Sequence, residues 1–85
     1  MAELAQARHW HRQGDLARAI AAYRRALEAD PHDASAWHDC AVALLQAGRP
    51  DQAAATAEQG LRLAPGHPDL LLVLAQARQR AGQPA

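Results

Sequence analysis

Five histidines, nine arginines, one cysteine and one serine are the side chains of this chain best suited to nucleophilic, metal-binding or anion-binding chemistry. His9 and His11 form an H-x-H pair. On a helix, residues two apart point to nearly opposite sides, so they cannot chelate one metal together. Cys40 lies between Trp37 and Leu44 on an apolar face, where a free cysteine acts as a small buried hydrophobe. A reactive thiolate needs a nearby cation or a helix N-terminus, and His38, two residues away, faces elsewhere. One cysteine also cannot make an internal disulfide. Ser35 falls in the first turn of a helix, and no serine, histidine and acid can be assembled around it. Arg18, Arg24 and Arg25 read as a solvated outer face, because phosphate recognition would want interleaved aromatics or a glycine-rich loop. These residues predict no enzymatic activity, no cofactor and no metal.

Composition narrows the classes further. Nine basic and nine acidic residues give a formal net charge of zero, and every basic residue is arginine. A neutral domain lacks the electrostatic footprint of a nucleic-acid or anionic-membrane binder. The longest apolar run, Leu70–Ala75, is too short to span a bilayer. The N-terminus carries Glu3 and no apolar core, so it does not read as a secretory signal. The expectation is a cytoplasmic location, and the arginine-only, alanine-rich usage suggests a bacterial source. Eighty-five residues suit one domain near the size at which a core becomes adequate.

The elements that position these residues are helices. Between Asp15 and Asp30 the apolar residues Leu16, Ala19, Ile20, Tyr23, Ala26 and Leu27 recur at steps of three and four, placing them on one helical face. Asp15 is a good N-cap, and Pro31 stops the helix. Shifting the chain by 34 residues brings Gly14 onto Gly48, Ala19 onto Ala53, Leu27 onto Leu61 and Pro31 onto Pro65. A second shift brings Ala41 onto Ala75, Gly48 onto Gly82 and Pro50 onto Pro84. A fixed period of this length marks a solenoid array. Five helices are expected, near 2–13, 16–29, 34–47, 50–63 and 68–81.

The residues that carry the period resemble the tetratricopeptide (TPR) repeat family. In the second copy these are Trp37, Ala41, Leu44, Gly48, Ala53, Ala57, Gly60 and Pro65, and in the first Ala7, Trp10, Gly14, Ala19, Tyr23, Ala26 and Pro31. Departures are Glu3 where Trp37 sits one repeat later, Ala57 for the ring of Tyr23, Gly60 for Ala26, and Arg78 where Leu44 sits one repeat earlier. The resemblance implies an all-α fold, a right-handed α-solenoid of antiparallel helix pairs. It covers nearly all of 1–85 as a single domain: repeat one about 1–33, repeat two 34–67, and a C-terminal half-repeat helix 68–85.

The resemblance also implies a function, a protein–protein interaction module that binds a peptide or partner helix in its concave groove. The inward side of the first, third and fifth helices holds Leu4, Arg8, His11 and Arg12, then Ser35, His38, Val42 and Leu45, then Asp69, Leu72, Gln76 and Gln79. Such a strip is apolar along its middle, through Leu4, Val42, Leu45 and Leu72, with a basic corner at Arg8, His11 and Arg12. The family's best-known mode clamps C-terminal carboxylates, but those slots here hold Leu4, Arg8, Asp39, Asp69 and Val73, of which only Arg8 suits a carboxylate. His11, His38 and Asp39 fall on this inward side and carry zinc-ligand atoms; we read them as solvated groove residues. The alternatives are a structural or self-assembly module, or an appendage of a larger enzyme, with no peptide ligand of its own.

Two packing expectations complete the reading. Leu70 to Leu74 are five consecutive apolar residues that go all the way round a helix. One preceding helix pair cannot cover them all, so self-association through the helix 70–81, or docking of that helix on a further segment, is expected. Gly60→Ala should be neutral or stabilising, because Ala26 fills the equivalent slot of repeat one and glycine costs about 1 kcal/mol in a helix interior.

Overall fold

A computed structural model describes residues 2–82, which form five helices: α1 (Ala2–Arg12), α2 (Leu16–Ala29), α3 (Ala34–Gln46), α4 (Pro50–Leu63) and α5 (Pro68–Ala81). The expected turn continuing through Gln83 and Pro84 lies outside the described residues. Consecutive helices are joined by short turns and pack against one another, and α5 also touches α3. The array measures 37 × 27 × 17 Å along its principal axes.

The helix boundaries follow from local chemistry. The Asp15 carboxylate accepts the amide of Arg18, and that of Asp33 accepts the amides of Ser35 and Ala36. Each therefore satisfies backbone donors that have no partner inside the helix. Pro50 and Pro68 open α4 and α5, where a missing amide costs nothing. The N-cap of α5 is His67, whose Nδ1 accepts the amide of Leu70.

The periodic glycines have a conformational reason. Gly14 and Gly48 adopt φ of +80° and +77°, a region that costs other residues strain. After each, the next residue's amide reaches back to a carbonyl of the last helical turn, Asp15 to Trp10 and Arg49 to Leu44, both at 2.9 Å. This is the Schellman closure of α1 and α3. Gly82, at the same period, keeps φ of −84° and caps α5 in the right-handed region instead.

The core is built largely of alanine. Ala7, Ala19, Ala22, Ala41, Ala43, Ala53, Ala57 and Ala77 are fully buried, around Tyr23, Leu44, Leu70 and Val73. Small side chains on facing helices let the backbones approach closely. At Gly60 the approach is extreme: an added Cβ would lie 2.8 Å from the Cβ of Trp37 and 3.0 Å from both methyls of Leu70. This reverses the expectation for Gly60→Ala. The repeats share a slot but not a spacing, because repeat two sets α4 directly against the Trp37 Cβ. Trp37 is only half-buried, and its indole N–H donates to the Pro31 carbonyl at 2.8 Å.

Candidate functional site

The residues expected on the inward side lie on the odd-numbered helices. Helical spacing puts Leu4, Arg8 and His11 in one line on α1, and His38, Val42 and Gln46 in another on α3. Side chains then lace the two helices together. Both Nε and Nη2 of Arg8 reach one oxygen of Asp39 at 3.0 Å, while the other oxygen meets Nδ1 of His38 at 3.2 Å. Asp39 is only partly covered, so the pair fixes geometry more than it adds stability. At the far end, His11 joins three helices: its Nδ1 lies 2.9 Å from the Tyr23 hydroxyl and its Nε2 2.6 Å from Oε1 of Gln46. With its proton on Nε2, the ring donates to Gln46 and accepts from Tyr23.

These bonds change what the corner can do. Arg8, expected as a free cation, has its charge met by Asp39. Arg12 stays exposed and has no ion-pair partner among the described residues. Arg8, His11, Arg12, Tyr23 and Asp39 line a shallow pocket of about 350 Å³. Burial, followed by the nearby Asp39 charge, pushes the Tyr23 phenol up to about 12, so it stays a neutral hydrogen-bonding group. A second pocket, of about 300 Å³, opens at the other end of α1 between Leu4, Arg8, Ala26 and Asp33.

The expected strip is only partly present at the surface. Leu4 and Val42 are half-buried and pack against the core, leaving part of each side chain accessible. Leu45, expected beside Val42, is 7% exposed and belongs to the core. The physical reason is α5, which packs on the same side of α3 and brings Arg80 to 3.5 Å from the Leu45 carbonyl. Val73, one of the clamp slots, is likewise buried at 2%. Asp69, Leu72, Gln76 and Gln79 are exposed on α5. Ser35 is exposed too, but its hydroxyl donates to Asp33 at 2.7 Å, which makes it part of the α3 cap. Asp33 is held below the usual carboxylate range by that hydroxyl first and by the amides it caps.

Gln46 and Tyr23 were not anticipated as site residues. Gln46 lies one turn beyond Val42, a spacing visible in the sequence. Tyr23 read only as a core ring, and nothing in its neighbours announced a bond to His11. Among the described residues no group of three or more His, Cys, Asp and Glu converges as a metal site. His11 uses both ring nitrogens on Tyr23 and Gln46, and Asp39 is taken up by Arg8 and His38. Cys40 is 1% exposed, and burial pushes its thiol up to about 11, the opposite of an activated nucleophile. No helix among the described residues is long and apolar enough to cross a membrane.

The arrangement is thus a surface of side chains fixed by bonds between helices, suited to recognition. Comparison with curated proteins finds no match. A tetratricopeptide repeat family model matches residues 11–63 and again 46–85, overlapping units that run through α2 to α5. Repeats of this family generally mediate protein–protein interactions. With its helix pairs, its alanine-lined contacts and its matched repeats, the chain belongs to the tetratricopeptide repeat family.

Proposed function

We propose that the chain is a protein-binding module whose odd-numbered helices receive a partner helix or extended segment. The observation that carries this reading is the cross-helix lacing of α1 and α3. Arg8–Asp39 and His11–Gln46 hold polar side chains in place beside the accessible parts of Leu4 and Val42. Groups fixed before binding lose little freedom on binding. The matching ligand has one or two aliphatic anchors for Val42 and Leu72, and an acidic residue for Arg12. A carboxylate-terminal peptide fits less well, since the guanidinium of Arg8 is already neutralised. With so few anchors the affinity is on the order of micromolar.

The test is titration with a peptide library, read by amide chemical shifts. Val42→Glu should abolish binding while far-UV circular dichroism stays unchanged. Shifts that map to Arg18, Arg25 and Glu58 on the even-numbered helices refute the assignment. A second reading, assembly in place of ligand binding, is supported by Leu71 and Leu72 on α5, which are 48% and 59% exposed. Sedimentation of the protein alone tests it.

A further inference from the structure

α5 turns Leu70, Val73, Leu74 and Ala77 into the fold. Its opposite face carries Leu72, Ala75 and Gln79, at steps of three and four, with Leu71 beside them, and all four are exposed. An apolar centre of this kind, rimmed by polar residues, has the composition of an interface. The charges at its two ends say what covers it. Asp69 and Arg80 are eleven positions apart, which is about three full turns, so they share one flank of α5 at opposite ends. Asp69 has no ion-pair partner among the described residues. Arg80 has none either, and its one hydrogen bond is the long contact with the Leu45 carbonyl.

Resting on the assembly reading, we propose that α5 pairs antiparallel with α5 of a second copy, about a two-fold axis beside Ala75. A two-fold of this kind leaves each flank on its own side of the pair. Asp69 of one copy therefore stands against Arg80 of the other, and the symmetry repeats the contact. Two ion pairs then bracket a centre made by Leu71 and Leu72 of both copies. A parallel two-fold would carry each flank to the opposite side of the pair, so neither Asp69 nor Arg80 would meet an opposite charge, and the complementarity would be lost. Ala75 at the crossing lets the two helices approach closely, as alanine does throughout this core. The contact is self-complementary and closed, so it yields dimers and not filaments. The charge pairs are exposed and flank the contact, so they set register and direction, while the leucines supply the attraction.

Sedimentation equilibrium of the full chain alone, from micromolar to millimolar at low salt, tests this. The expected result is a dimer that Leu72→Glu weakens by roughly tenfold or more. Asp69→Arg and Arg80→Asp should each weaken it roughly tenfold, since each reversal turns two attractions into two repulsions. The double reversal should return the dissociation constant to within about threefold of the original. All three positions are exposed, and circular dichroism verifies that each variant keeps its helicity. A monomer at every concentration overturns the assembly reading itself. A dimer indifferent to Leu72→Glu overturns the α5 interface. A dimer that Leu72→Glu breaks but the double reversal does not restore overturns the antiparallel register and leaves assembly standing.

Discussion

Gly60→Ala sets two effects of known size against each other. Alanine is better than glycine in a helix interior by about 1 kcal/mol, which favours the variant. Against it stands the space. The new Cβ would meet the Trp37 Cβ at 2.8 Å and two Leu70 methyls at 3.0 Å, whereas carbon atoms rest about 3.5–4.0 Å apart. Relief of the Trp37 contact needs a movement of about 0.7 Å or more. The Trp37 Cβ is bonded directly to the α3 backbone, so no rotamer change can move it away, and α3 and α4 must separate. Leu70 can rotate, but it is fully buried and its methyls have nowhere to go. Overpacking of this kind typically costs about 1–3 kcal/mol. The net is a destabilisation of about 1 kcal/mol, or a fall in Tm of about 4–8 °C for a domain of this size. Thermal unfolding by circular dichroism measures it, with Gly66→Ala as the control because nothing lies within 4 Å of an added Cβ there. Combining Gly60→Ala with Leu70→Ala should recover part of the loss as a coupling energy. An unchanged or raised Tm for Gly60→Ala alone would mean that the helices separate at little cost, and the argument from close approach would fail.

Cys40 should react with a thiol reagent far more slowly in the native state than in denaturant, and equal rates would contradict its burial. Its thiol is raised from 9.0 to about 11 by burial, so the folded state disfavours the thiolate. Stability from this group is full below pH 9.0 and falls as pH rises toward about 11; a Cys40→Ala variant should lose that part of the alkaline decline. Asp33→Ala removes the acceptor of two amides and the Ser35 hydroxyl, and should cost about 1 kcal/mol at neutral pH in urea unfolding. Because Asp33 is lowered from 3.8, its contribution is present above that value and lost as pH falls through the folded-state pKa. Wild type and variant should therefore converge in acid.

Much of the architecture was legible because it depends on local rules. Asp15, Asp33 and the prolines start helices by satisfying or omitting particular amides, and Gly14 and Gly48 end them because only glycine adopts that φ freely. The spacing of Ala19, Ile20, Tyr23, Ala26 and Leu27 chooses one face, and the 34-residue period stacks the pairs. Each of these depends on neighbours within a turn or two, and such neighbours can be read along a line of letters. The surplus of leucines in α5 was visible in the same way, since a helix cannot bury its whole circumference against one neighbouring pair.

The tertiary structure decided what depends on distances between helices. Helical phase gave Leu45 and Val42 neighbouring directions on α3, but α5 covers one and leaves the other accessible. Arg8 looked like a free cation until the fold set Asp39 3.0 Å away, across 31 residues of sequence. His11, which could have offered ligand atoms, is held between Tyr23 and Gln46, two residues no local pattern ties to it. Gly60 and Ala26 occupy the same slot of the repeat, yet only one helix spacing tolerates a methyl group there. The separation of two packed helices is set by all the side chains between them at once, so no single position in the sequence carries it.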